Sequence, residues 1–138
     1  MKKFILSLML TFGLFLGLQA QTPNNNQSKP NGTQAEIKFD KEVHDYGTVK
    51  RNGNGETTFT YTNTGKAPLV LSNVRSSCGC TVPSWSREPI MPGQSGTLTV
   101  KYNTASVGPI NKTVTVESNA TKNRVVLRIT GKVVQSEN

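Results

Sequence analysis

An all-β chain, folded as an immunoglobulin-like antiparallel β-sandwich of about seven strands, is what this sequence predicts. Three observations carry that expectation. Apolar and polar residues alternate with period two over most of the chain. No stretch sustains helical spacing, and turn-forming pairs punctuate the alternating runs at short intervals.

The alternating runs come in order. In residues 36–43, Ile37 and Phe39 share one face. Residues 55–63 set Thr57, Phe59 and Tyr61 against Thr58, Thr60 and Thr62. Residues 68–76 place Leu69 and Leu71 on one side before Val74 changes phase, which predicts a bulge or bend. Leu98, Val100 and Tyr102 alternate with Thr97, Thr99 and Lys101. Val114 and Val116 then alternate with Thr113 and Thr115, and Val125, Leu127, Ile129 and Val133 with Arg128, Thr130 and Lys132. One buried and one wet face per strand is the antiparallel signature. Between the runs, Asn52-Gly53-Asn54-Gly55, Asn63-Thr64-Gly65, Pro92-Gly93 and Ser118-Asn119 supply turn chemistry. Pro92 presets φ and Gly93 accepts a positive φ, as a type II turn needs. Asn63 and Asn119 are expected to hydrogen-bond backbone at strand ends. Trp85, the lone tryptophan, is expected in or near the core.

The ends of the chain read differently. Met1-Lys2-Lys3 precedes an apolar run from Phe4 to Leu18, and Ala20-Gln21 offers a small residue at a cut, the layout of a secretory signal peptide over residues 1–20. The run is about 15 residues against the roughly 20 that span a bilayer, so no stable membrane span is expected once it is removed. No cysteine follows for lipid attachment. Residues 21–35 hold Asn, Gln and Pro and no large apolar side chain; they are expected to be a flexible tether. The ordered domain is expected over 36–134, with a disordered tail at 135–138. Without the leader the chain has 14 basic and 8 acidic residues. The basic residues are scattered singly, so nucleic acid is not an expected partner. Four Asn-X-Ser/Thr triplets, at Asn26, Asn31, Asn111 and Asn119, carry little weight in an Asn- and Thr-rich chain. Export to a bacterial periplasm or cell surface, with envelope proteins as partners, is the expected setting.

Certain short motifs, in their order, are more specific than any one strand. They are His44-Asp45-Tyr46-Gly47-Thr48-Val49; Thr62-Asn63-Thr64-Gly65 with Pro68-Leu69; Ser77-Cys78-Gly79-Cys80-Thr81-Val82-Pro83 with Trp85; Met91-Pro92-Gly93-Gln94; Gly108-Pro109 with Asn111-Lys112; Val116-Glu117-Ser118-Asn119; and Gly131-Lys132-Val133. Across residues 36–134 this set resembles the bacterial domain-of-unknown-function family 1573. The resemblance implies an exported immunoglobulin-like domain, related in fold to the ASH and hydin-type modules of cilia and centrosomes and to pilus-chaperone sandwiches. The family carries no established activity, so the resemblance supplies no catalytic residue.

Cys78 and Cys80 are the only cysteines, one glycine apart. A disulfide between them needs Cα atoms about 4.4–6.8 Å apart, which a bend at Gly79 provides. So short a loop gains little from chain entropy, so the bond's role would be local: fixing one loop. A soft ion such as Cu(I) is the second reading, with His44 and Met91 the other available donors. Thiol–disulfide exchange is the third, although the chain has neither C-x-x-C spacing nor a helix to carry it. Otherwise no nucleophile elbow, second histidine, paired carboxylates or phosphate loop is present, so no catalytic residue, no enzyme and no cofactor are expected. Asp45 with Tyr46-Gly47 reads as a turn, and His44 as a neighbour hydrogen-bonded near Asp45.

Overall fold

The computed structural model describes residues 33–137; the expected signal peptide, its Ala20-Gln21 cut and nearly all of the tether lie outside the described residues. Eight strands form: β1 (Ile37–Phe39), β2 (Val43–Lys50), β3 (Glu56–Asn63), β4 (Leu71–Ser76), β5 (Thr81–Trp85), β6 (Ser95–Tyr102), β7 (Gly108–Ser118) and β8 (Arg124–Val134). They make two four-stranded sheets, ordered β1-β3-β6-β5 and β2-β8-β7-β4.

The core lies between the sheets and is built from the predicted inward positions. Phe59 and Tyr61 of β3, with Leu98 and Val100 of β6, face Val114 and Val116 of β7 and Leu127 and Ile129 of β8, all fully or almost fully buried. Each such side chain contributes about 1.5–3 kcal/mol by leaving water. The outward positions of β3 and β6 are threonine-rich and pair across the sheet, as Thr58 with Thr99 and Thr60 with Thr97, a β-branched surface that suits a strand and stays wet.

Three expectations are corrected. The run 36–43 is not one strand: β1 pairs antiparallel with β3, and the chain then crosses to the other sheet. Asp45, Tyr46 and Gly47, read as a turn, lie within β2, which pairs parallel with β8. Residues 81–85, given no strand, form β5 on the edge beside β6. Trp85, half-buried, packs against the core as expected, with the Arg87 guanidinium 5.5 Å over its ring. The turn reading at Asp45 has a local basis. Gly47 adopts φ 64°, its N–H donates to Asp45 Oδ1 (2.8 Å), and the β2–β8 register shifts between Asp45 and Thr48. The asparagine-like turn is a bulge inside a strand. The Val74 phase change likewise marks a register shift between Leu71 and Asn73.

One polar residue ties the end of the sandwich opposite the cysteines. Asn63 is 0% exposed. Its Nδ2 donates to Ala67 O (2.7 Å) and Ile90 O (2.9 Å), and its Oδ1 accepts from Gly65 N (2.9 Å) and Glu36 N (3.4 Å). Its backbone N–H donates to Gln94 O (3.0 Å) and its carbonyl accepts from Gly93 N (2.8 Å), which places the Pro92-Gly93 turn on the same hub. Gly65 is pressed so closely on the chain that a Cβ there would meet Gln34 O and Glu36 N at 2.3 and 2.4 Å. Ala35, assigned to the tether, is 2% exposed within the core. On the same end Asn119 accepts from Val70 N (2.8 Å) and donates to Pro68 O (3.0 Å).

Asn63→Ala would leave several buried backbone groups without partners, each worth about 1–3 kcal/mol. Urea unfolding of the variant should show a loss of roughly 3 kcal/mol or more; a loss within the surface range of about 0.5 kcal/mol would contradict the hub.

Candidate functional site

Antiparallel winding brings three connections to the other end of the sandwich: residues 51–55 between β2 and β3, 77–80 between β4 and β5, and 103–107 between β6 and β7. The first is a tight turn, closed by Gly53 N donating to Lys50 O (2.8 Å) with Asn52 at φ 60°. Asn54 Oδ1 accepts from Glu56 N (2.9 Å), and Asn103 Oδ1 from Ala105 N (3.0 Å), so each asparagine shapes its own turn. Cross-bonds then stitch these two turns together: Asn52 N to Thr104 O (3.1 Å), Thr104 Oγ1 to Gly53 O (2.7 Å) and Arg51 Nε to Ala105 O (2.8 Å).

The third connection is held by covalent and polar bonds. Cys78 and Cys80 are joined as a disulfide with Cα atoms 5.3 Å apart, inside the range such a bond allows. The Ser76 hydroxyl lies 2.5 Å from Cys78 O and 2.7 Å from Thr81 O, sharing its single proton between them. Asn103 N donates to Cys80 O (2.8 Å), and Ser77 N to Thr113 O (2.9 Å). Between the connections lies a cleft of about 580 Å³, whose walls include Asn54, Gly55, Gly79, Cys80, Val82 and Lys101. Val82 is 61% exposed, unusual for its type. The cleft offers amides, carbonyls, one lysine and an apolar side chain, a surface suited to binding.

The proposed ligand set for a soft metal is not brought together. Cys78 and Cys80 follow β4, one edge of the second sheet, whereas His44 lies on β2, the opposite edge. Met91 precedes β6, and Cys80 lies beside Asn103 beyond its far end, a strand length of roughly 20 Å away. Among the described residues no group of three or more His, Cys, Asp or Glu is placed to hold a metal ion. His44 instead accepts from Lys41 Nζ at Nδ1 (3.0 Å) and packs edge-on to Tyr46, centroids 4.6 Å apart. Burial first, and the Lys41 charge second, hold its pKa below the ordinary value against the opposing pull of Asp45. Tyr46 reaches across the seam between the sheets and donates from its hydroxyl to Gly55 O (2.6 Å), bracing one wall of the cleft. Asn54 keeps the turn role read from sequence, whereas Ser76 and Asn103 were not singled out; serine and asparagine are common, and only their bonds to the cysteine loop give these two a shared role.

Fold and site together define an immunoglobulin-like two-sheet β-sandwich with a cleft at one loop end. The chain belongs to the family described as protein of unknown function (DUF1573), whose profile matches residues 37–133. It is similar in structure to a protein of unknown function from Porphyromonas gingivalis W83 (18% identity, TM-score 0.62, covering 78% of this chain and 50% of that one). It is similar also to the ASH/PapD-like domain 7 of human CEP192 (10% identity, TM-score 0.65, 88% and 99%). A third similar structure is the secreted serine protease VesC of Vibrio cholerae (16% identity, TM-score 0.57, 78% and 25%). The chain thus spans half the length of the P. gingivalis protein and a quarter of the protease. These likenesses show the fold. No curated protein matches the chain.

Two measurements check the site. Intact mass of the protein purified under non-reducing conditions should rise by two hydrogens on reduction, with both thiols then alkylated; a pair already free before reduction would contradict the locked loop. Burial first, and Glu56 second, push the Tyr46 phenol up to about 12. Because the folded pKa exceeds the unfolded one, this group's contribution to stability is complete below pH 10 and lost as pH rises through about 12. Burial raises the Tyr61 phenol as well, so absorbance titration should show late-ionising tyrosines whose amplitude falls by one phenol in Tyr46→Phe.

Proposed function

We propose that this protein is a non-catalytic, exported binding module of the bacterial cell envelope, and that it engages its protein partner through the loop end that carries Cys78 and Cys80. The observation that carries this reading is the preorganised cleft: three connections bonded to one another, with an exposed Val82 at the rim. Loops held on a rigid sandwich are where such folds place recognition, and a surface ordered beforehand loses less entropy on binding. Arg51 and Lys101 at this end favour an acidic partner. Export is supported by the basic and apolar leader and by the use of a disulfide. Among the described residues no helix is long and apolar enough to cross a membrane.

Strand addition at a sheet edge is the other common way a sandwich binds protein, and three of the four edges disfavour it. β1 is three residues long. β2 is interrupted by the bulge at Gly47. On β5, the Asn103-to-Cys80 bond and the Thr81–Tyr102 register turn the backbone groups of Thr81 and Pro83 outward. There the Thr81 N–H is directed to Cys78 O (3.4 Å), its carbonyl accepts from Ser76, and proline has no N–H. These are the devices by which sandwiches protect their edges.

Site-specific photo-crosslinking in the exporting cell distinguishes the two surfaces. A crosslinker at Asn103 should give a discrete protein adduct, and one at Val43, on the β2 edge, should give none. Val82→Asp should lower the Asn103 adduct roughly tenfold, the loss of one good interface side chain. Adducts from Val43 alone would overturn the loop-end reading.

A further inference from the structure

The buried hydroxyl of Thr81 has no use in a merely structural account. Thr81 is 2% exposed, yet among the described residues its Oγ1 finds no oxygen or nitrogen partner. The atoms within its reach are the two sulfurs, Cys78 Sγ at 3.8 Å and Cys80 Sγ at 4.0 Å. A disulfide sulfur is a poor acceptor, so the hydroxyl is underused while the bond is intact. A thiolate is a charged acceptor, and a hydrogen bond to it is about twice as strong as a neutral one. The environment is therefore matched to the opened pair better than to the closed one.

We propose that Cys78 and Cys80 are a thiol–disulfide exchange site for a protein dithiol of the envelope, with Thr81 as the positioning residue that stabilises the departing thiolate. This does not depend on the loop end being a docking surface. Three further features agree. The bond closes a loop of minimal length, so the fold loses little unfolded-state constraint when it opens. Cys80 packs against the core while Cys78 lies outside that cluster, which directs an incoming nucleophile to Cys78. Lys101 lines the same cleft as Cys80, and a nearby cation favours a thiolate.

The step balances as follows. One thiolate of the partner dithiol attacks Cys78 Sγ, forming a mixed disulfide and breaking the Cys78–Cys80 bond; Cys80 leaves as a thiolate and accepts from the Thr81 hydroxyl. The partner's second thiolate then attacks its own sulfur in the mixed disulfide and expels Cys78. The partner dithiol is oxidised to a disulfide by two electrons, and this pair is reduced to two thiols once protonated. The bonds from Ser76 to Cys78 O and Thr81 O, and from Asn103 N to Cys80 O, involve no sulfur, so the loop keeps its course through the cycle.

The test equilibrates the exported, purified chain in dithiothreitol and glutathione redox buffers, quenches in acid, alkylates and counts adducts by intact mass. The wild-type pair is expected to have a midpoint potential above about −250 mV, whereas structural disulfides fall below roughly −300 mV. Thr81→Val should make the pair harder to reduce by roughly tenfold in equilibrium constant, about 30 mV for two electrons, and Thr81→Ser should restore it. A wild-type pair that stays oxidised to −300 mV, or a folded Thr81→Val titrating with wild type, overturns the proposal. Should Thr81→Val not fold, the thiolate absorbance titration of reduced Lys101→Gln, which removes the cleft cation, decides: a pKa below the ordinary value of about 8.5 upholds the role of Thr81, and an ordinary one overturns it.

Discussion

Everything at the closed end of the sandwich depends on satisfying one buried amide. Asn63 ends β3, and its side chain collects Glu36, Gly65, Ala67 and Ile90 while its backbone takes the Gly93-Gln94 turn. Glu36 and Ile90 each lie 27 residues from Asn63, and of these groups only the Ile90 carbonyl has a second partner, Leu69 N, in an isolated bridge. Leaving them unbonded in the interior would cost more than the alternatives offer. The amide therefore dictates where the chain enters β1, how tightly the 63–67 turn folds, and how the long β5–β6 connection closes over Tyr61 and Leu69. Once those are fixed, the antiparallel geometry of β3 and β6 carries the constraint to the opposite end, where the cleft lies.

The second constraint is the switch of sheets between β1 and β2. By leaving β3 after three residues and pairing parallel to β8, the chain covers one edge of each sheet with a single short segment. Tyr46 seals the seam left behind, bonded to Gly55, and the Gly47 bulge sets its carbonyl over Gly131, where a Cβ would come within 2.9 Å of it. These two edges are thereby made poor templates for another strand, and the loop end carries a concavity with the exposed Val82 beside it.

Much of this was legible in the sequence, and the reasons for the rest are specific. The inward positions of β3, β6, β7 and β8 could be read because each strand has one dry and one wet face, and alternation reports that difference directly. The segment from His44 to Val49 could not, because a bulged edge strand at a seam has no continuous dry face; its parallel pairing is decided by β8, some 85 residues on. In β5, Pro83 argues against a ladder, and does so rightly for a central strand, but this one is an edge. The cysteines drew attention by type and spacing, and that spacing fits the bond observed. What sequence could not convey is the setting: a Thr81 hydroxyl facing two sulfurs, a Ser76 proton shared by two carbonyls, and His44 and Met91 carried away from both cysteines.

Both ends are locked before any partner arrives, the closed end by Asn63 and the loop end by its crossed bonds. Native-state hydrogen exchange of the free protein tests this most directly. Amides of Glu36 and Gly65, held by Asn63, and of Asn103, held by Cys80, are predicted to exchange as slowly as those of the central strands, through global unfolding only. Rapid exchange at these amides, with the strands still protected, would contradict it and leave a sandwich with loose ends.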